Sequence, residues 1–112
     1  MTAADTRVLL EDVLERTSLV FEYTRNMTET EFLDDRKTQD AVIRNLEVIG
    51  EIVKRIPEGF RSDHPHIPWK KIAGMRDKLA HDYLGVDVEA VWLVTERSLP
   101  DLHADMQDLL NS

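Results

Sequence analysis

Apolar residues recur along this chain at intervals of three and four, the spacing that gathers them on one face of an α-helix, and no segment shows the alternation of a half-buried strand. From about Asp5 to Thr24, Leu9, Val13 and Val20, with the neighbouring row Leu10, Leu14 and Phe21, predict an apolar stripe on a first helix that contains no proline or glycine. Thr28 followed by Glu31 has the spacing of a capping box, which predicts a short helical turn through Phe32 and Leu33 and a connector over Asp34 to Lys37. Val42, Leu46, Ile49, Val53 and Ile56 predict a second long helix from about Thr38 to Ile56, stopped by Pro57 and Gly59. Asn45 lies beside that stripe. It is either a buried amide that needs partners or a contributor to a cleft.

The stretch from Pro57 to His66 reads as a loop. Pro68 is placed to open a third helix, because its missing N–H costs nothing in the first turn, and that helix is expected to run to about Gly85. Asp87 then reads as the N-cap of a fourth helix. Its Val88, Trp92, Thr95, Leu99, Leu102, Met106 and Leu109 alternate spacings of four and three, a seam that calls for a helical partner. Pro100 interrupts this pattern and is expected to kink or split the helix around Ser98. The expected fold class is therefore all-α: one domain over residues 1–112, an antiparallel bundle of about four main helices with a kinked last helix.

Composition narrows the chemistry. With 112 residues, 42% of them hydrophobic, the chain suits a single core. The absence of cysteine excludes disulfides and thiolate metal sites and fits a reducing compartment. The N-terminus lacks the apolar core of a signal peptide and no apolar run approaches membrane-spanning length, so a soluble, cytoplasmic protein without membrane contact is expected. A net charge of −8 opposes broad attraction to nucleic acid, but between Trp69 and His81 the residues Lys70, Lys71, Arg76 and Lys78 oppose only Asp77. That stretch carries +3 and leaves −11 for the rest of the chain, so one local patch is suited to a phosphate backbone, with Lys70, Lys71 and Lys78 as candidate RNA-phosphate contacts. On charge alone, a solvated helix face is the favoured reading of the same lysines.

The candidate chemistry concentrates in Met75 to Tyr83, where an arginine, a histidine five positions on and a tyrosine two further share a short segment. Cleaving RNA without a metal requires a group that takes the proton from a ribose 2′-hydroxyl, a group that protonates the leaving oxygen, and positive charge at the crowded phosphate. His81 titrates near neutrality and suits either proton transfer. The guanidinium of Arg76 is a permanent cation whose fork grips two phosphoryl oxygens. The Tyr83 hydroxyl donates a hydrogen bond or accepts a transferred group. On a straight helix at about 100° per residue, Arg76 and His81 stand about 140° apart while Arg76 and Tyr83 fall within about 20°. Convergence therefore requires either that the helix unwind after Ala80 or that a second copy of the motif complete the site. The fourth-helix seam makes an isologous homodimer the natural source of that copy. The competing structural roles are a helix-capping or dipole-stabilising histidine and an arginine paired with an acid.

Other residues invite weaker readings. His64-Pro65-His66 lacks a cysteine or carboxylate at ligand spacing, so it reads as an exposed loop pair and no metal or cofactor is expected. His103 reads as a surface residue. Trp69 and Trp92 are capable of stacking bases but are placed as packing residues.

The segment Ile67-Pro68-Trp69-Lys70-Lys71-Ile72-Ala73-Gly74-Met75-Arg76-Asp77-Lys78-Leu79-Ala80-His81-Asp82-Tyr83, followed by Gly85-Val86-Asp87, resembles the signature region of HepT-like proteins of the HEPN superfamily. Upstream, Lys37-Thr38-Gln39-Asp40-Ala41-Val42-Ile43-Arg44-Asn45-Leu46-Glu47-Val48-Ile49-Gly50-Glu51 is similar to that family's second helix, and the likeness extends over nearly the whole chain. The resemblance implies an all-helical, usually dimeric domain that acts as the ribonuclease toxin of a prokaryotic toxin–antitoxin pair. It implies that Arg76 and His81 are the catalytic pair, with Asp77 at the supporting polar position. It further implies that Tyr83 accepts AMP from ATP through a minimal, MntA-like nucleotidyltransferase antitoxin. The chain departs from the family pattern at Asp77, where many relatives carry asparagine; an added anion beside Arg76 opposes phosphate binding. The alternative from another class is a non-catalytic helical module that presents Tyr83 or a groove to a nucleotidyltransferase. A structural helical dimer whose motif merely caps a helix is a third.

Overall fold

The computed structural model describes residues 1–80 and 87–112, and for residues 76–80 the backbone alone. The helices are α1 (Ala3–Thr24), α2 (Glu29–Leu33), α3 (Arg36–Arg55), α4 (Glu58–Asp63), α5 (Trp69–Ala80), α6 (Val88–Leu93) and α7 (Leu99–Leu110), with a π-helical turn at Val94–Ser98 between the last two. No strand occurs among the described residues. The architecture is the expected all-α bundle. In it α3 packs between α1 and α5, and α7 lies along the other side of α1.

The helix starts follow local side-chain chemistry. Thr2 and Thr28 each accept a hydrogen bond from the backbone N–H three residues on, while the Asp5 and Glu31 carboxylates accept one from the backbone N–H of the cap residue, so both ends carry complete capping boxes. Asp35 caps α3 through the Thr38 N–H at 3.0 Å and takes the Thr38 hydroxyl at 2.7 Å. Asp87 caps α6 through the Ala90 N–H. Hydrogen bonds to the threonines' backbone and hydroxyl groups hold the Asp5, Glu31 and Asp35 carboxyls below their ordinary values. Because those groups are harder to protonate when folded, their stabilisation is complete above the ordinary carboxylate range and is lost as pH falls through the lowered folded values. The melting temperature is accordingly expected to drop on the acid side of that range. An Asp35→Asn variant, which keeps a competent cap but no titrating carboxyl, should show a shallower acid-side drop in calorimetry, and an unchanged slope would assign the acid sensitivity elsewhere.

The core is where the periodicity places it. Val42, Leu46, Ile49 and Val53 on α3 are fully buried, and Val13 and Val20 of α1 meet them. Each such aliphatic side chain stabilises the fold by about 1.5–3 kcal/mol relative to exposure. The apolar stripe of α1 is narrower and more polar than predicted. Its inward face is Thr6, Leu10, Val13, Thr17, Val20 and Thr24, while Leu9, Leu14 and Phe21 are only half-buried at its margins. Threonines fit this face because each hydroxyl turns back to a carbonyl of the preceding turn: Thr6 to Thr2, Thr17 to Leu14 and Thr24 to Val20.

Two expectations need correction. The stretch from Pro57 to His66 is not all loop. Six of its residues form α4, whose Phe60 rests on His64 and Trp69 at ring separations of 4.7 and 6.4 Å. A single helical turn and a half carries no readable period, and Gly59 inside it masks helical propensity. The second correction concerns the fourth-helix seam. Trp92, Thr95, Leu99, Leu102 and Met106 are buried within this chain, Trp92 against Phe32 at 5.2 Å and α7 against α1. The seam's helical partner is therefore intramolecular, and the seam supplies no argument for self-association.

Pro100 splits the last helix as expected, and the structure shows how. Proline has no N–H for the Glu96 carbonyl and its ring collides with that carbonyl in a regular α-turn. The chain widens over Val94–Ser98, with the Leu99 N–H donating to the Val94 carbonyl five residues back. The turn removes the clash without changing the face that meets the core, since Thr95 and Leu99 on either side remain buried.

Candidate active site

The candidate residues lie on α5 and the segment after it. α5 is held at its start by Trp69 and Ile72, which are 6% and 8% exposed and so anchor one face to the core. The Trp69 indole N–H donates to the His64 carbonyl at 2.9 Å, and the Ile67 N–H donates to the same carbonyl at 3.2 Å. These bonds tie the α4–α5 connection to the first turn of α5, and Pro68 stands immediately before the helix rather than as its first residue. α5 packs along α3, which sets its register against the bundle.

Arg76, Asp77 and Lys78 occupy the C-terminal half of the α5 backbone, beyond Ile72, and their side chains lie outside the described part of the structure. His81 and Tyr83 fall in residues 81–86, also outside it, as does the expected continuation of the third helix towards Gly85. The Asp87 cap resumes the described chain and opens α6. Lys70 and Lys71 are exposed on the first turn of α5 and form no ion pair among the described residues.

Asn45 is 5% exposed in the α1–α3 interface. Its amide N–H donates to the Ala41 carbonyl at 2.9 Å and its amide oxygen accepts from Arg16 at 3.3 Å. Arg16 is also paired with Asp12 at 3.5 Å. The amide is thus satisfied on both sides, and Asn45 lines neither of the two cavities described below.

Two residues read as peripheral from sequence prove structural. His103 is half-buried: its Nδ1 lies 2.8 Å from the Thr17 hydroxyl and its ring meets Phe21 edge-on at 5.3 Å, clamping α7 to α1. His64 packs on Phe60 and supplies the carbonyl that orients Trp69. Nothing in the spacing of these histidines separates them from solvent-facing ones, because their partners lie on distant helices. Both tryptophans are packing residues. Among the described residues no three His, Asp or Glu side chains gather as metal ligands.

Two cavities flank α5. A cavity of about 240 Å³ separates it from the π-turn and the start of α7, lined mainly by apolar atoms of Ile72, Met75, Val94 and Leu102, with Asp105 at its rim. Burial pushes the Asp105 carboxyl above its ordinary value; nearby His66 pulls the other way, and Asp101 and Asp108 add to the rise. The second, an open groove of about 450 Å³, lies between α4 and the first turn of α5. Among the described residues no helix is long and apolar enough to cross a membrane.

Comparison with known proteins places the chain in a family. A family model described as ribonuclease HepT-like matches residues 13–109, from the first half of α1 to the last turn of α7. A Thermococcus cleftensis protein named a probable ribonuclease HepT is 48% identical over 100 residues, covering 89% of this chain and 91% of that one. A Methanocaldococcus jannaschii protein whose name assigns it provisionally to the RNases is 43% identical over 110 residues, 98% of this chain and 91% of its own. One from Caldanaerobacter subterraneus, named in the same way, is 38% identical over 104 residues and 93% of each chain. No solved structure matches. With every core residue but Leu10 inside the match, the chain belongs to the HepT-like ribonuclease family, enzymes that cleave RNA.

Proposed function

We propose that this protein is a metal-independent endoribonuclease acting as the toxin of a prokaryotic toxin–antitoxin pair in the cytoplasm, with Arg76 and His81 as its catalytic residues. The observation that carries the reading is the family match across residues 13–109, within which Arg76, His81 and Tyr83 keep the arginine–histidine–tyrosine spacing of the motif. In the proposed reaction His81 takes the proton from a ribose 2′-hydroxyl, the 2′-oxygen bonds to phosphorus, and the bond from phosphorus to the 5′-oxygen breaks. The leaving oxygen takes a proton from a second acid, which in a homodimer is the His81 of the other copy. Products are a cyclic 2′,3′-phosphate and a free 5′-hydroxyl. Arg76 neutralises charge growing on the phosphoryl oxygens, with Lys70, Lys71 and Lys78 as further phosphate contacts and Asp77 as the supporting polar residue. The homodimer stands on this two-proton requirement and on the separation of positions 76 and 81 around a helix, since the α7 seam is consumed inside the chain.

Control is proposed to come from an MntA-like nucleotidyltransferase antitoxin that transfers AMP to Tyr83. The test of the nuclease reading is cleavage of varied RNAs by purified protein free of AMP and of contaminating nuclease, in the presence of a chelator. Fragments ending in cyclic phosphate are expected, and intact RNA across the panel would leave the non-catalytic nucleotidyltransferase-binding module as the better account.

A further inference from the structure

The groove between α4 and the start of α5 holds a concentration of positive charge that the motif does not use. Arg61, Lys70 and Lys71 line it, opposed among the described lining residues only by Glu58. None of the three cations forms an ion pair among the described residues, in a chain whose net charge is −8. Elsewhere Arg7, Arg16, Arg44 and Lys54 are each paired within a turn of their own helix, while Arg25, Arg36, Lys37, Arg55 and Arg97 form no ion pair among the described residues, so it is the gathering of three cations in one groove that sets this surface apart.

Arg61 differs from the two lysines. It is half-buried, and its Nε is fully covered yet has no hydrogen-bond partner among the described residues. Leaving a covered guanidinium N–H unpaired costs free energy that a solvated arginine avoids. The covered Nε is out of an anion's reach, but Arg61 lines the groove wall, and a guanidinium's outer amino groups form a planar fork that suits phosphoryl oxygens. The floor is rigid: Ile67 and Trp69 are 2% and 6% exposed, and the indole is fixed to the His64 carbonyl. The first turn of α5 adds the positive end of a helix dipole. From Lys70 to position 76 is about 9 Å along the helix axis, a span of a few nucleotides of backbone.

We propose that the α4–α5 groove, through Arg61, Lys70 and Lys71, binds the phosphate backbone of single-stranded RNA flanking the scissile bond, with Arg61 as a positioning residue. The inference rests on the ribonuclease reading for its substrate and adds a second, non-reacting contact region. Binding there is independent of base identity, because only backbone phosphate is engaged. Lys70 and Lys71 alone would make a diffuse patch; Arg61 arrives from a different helix and turns the patch into a groove with two walls.

The experiment measures binding of a short, fluorescently labelled 2′-O-methyl RNA, which lacks the hydroxyl needed for cleavage, to the full chain over a range of salt concentrations. Arg61→Gln should weaken binding roughly five- to tenfold at moderate salt. It should also reduce the slope of log K against log salt by about 0.7, the value of one lost phosphate contact on a single strand. Joint replacement of Lys70 and Lys71 by Gln should reduce it further, Arg61→Lys should restore part of the slope, and Arg7→Gln on α1 should leave it at the wild-type value. With cleavable RNA, the loss in Arg61→Gln should fall on KM. Circular dichroism and melting temperature identify a folding defect, and the lysine pair, being exposed, supplies the answer if Arg61→Gln unfolds. An unchanged salt slope in both variants, or a wild-type protein that does not bind the RNA, overturns the groove. If wild-type protein leaves cleavable RNA intact while the slopes fall as stated, the groove stands and the ribonuclease reading fails.

Discussion

His81→Ala is expected to reduce RNA cleavage by about 10²–10⁴-fold, the usual contribution of a positioned proton-transfer group. In the proposed mechanism the alanine removes both the base that activates the 2′-hydroxyl and, in a symmetric pair, the acid that protonates the departing 5′-oxygen. The effect therefore belongs at the upper end of that range. Position 81 lies beyond the described end of α5, so the measurement must separate catalysis from folding. Helical circular dichroism, melting temperature and affinity for uncleavable RNA are all expected to stay near wild type while the rate collapses. Arg76→Ala gives a different signature, because its guanidinium is proposed to meet the phosphate in the ground state as well as the transition state, and KM and kcat should both suffer. Wild-type cleavage rates in His81→Ala, with contaminating nuclease excluded, would reduce His81 to a helix-terminal structural residue.

Modification of Tyr83 is expected to abolish activity almost completely. In the proposed transfer the phenolic oxygen bonds to the α-phosphorus of ATP, pyrophosphate leaves, and the phenolic proton is released. The product carries an anionic phosphodiester and a nucleoside at the position where an RNA phosphate would approach Arg76, two residues from His81 in sequence. Repulsion and volume then act together. Incubation with the partner nucleotidyltransferase and ATP should add the mass of one AMP at Tyr83 and silence cleavage. Tyr83→Phe should resist both changes while still cutting RNA, because the proposed chemistry needs only His81 and Arg76. AMP found elsewhere, or a Tyr83→Phe protein still silenced by the partner, would remove the tyrosine from the control mechanism. Where the protein binds the nucleotidyltransferase and is modified but never cuts RNA, the module reading gains.

Much of the fold was legible because helices are local objects. The α3 stripe of Val42, Leu46, Ile49 and Val53, the Thr28–Glu31 capping box and the Asp87 cap are all written within a few residues of one another, and each formed as expected. Pro100 announced a break whose kind, a π-turn over Val94–Ser98, depended on keeping Thr95 and Leu99 facing the core. The misreadings share a cause. His103 reads as a surface residue until α1 and α7 come together, since the Thr17 hydroxyl beside its ring is 86 positions away. α4 is too short to show a period, and its stability comes from Phe60 resting on Trp69 across the connection.

The residue order alone dictated an all-helical chain, its helix starts, its principal core stripe, and the family motif that places candidate chemistry between Arg76 and Tyr83. Period, capping and motif spacing act over a turn or two of helix and survive translation into one dimension. Only packing decided that the α7 seam faces α1 rather than another molecule, that His103 ties two helices together, and that Arg61 meets Lys70 and Lys71 across a groove. Those outcomes depend on which side chains approach through space, and distance along the chain carries no record of that approach.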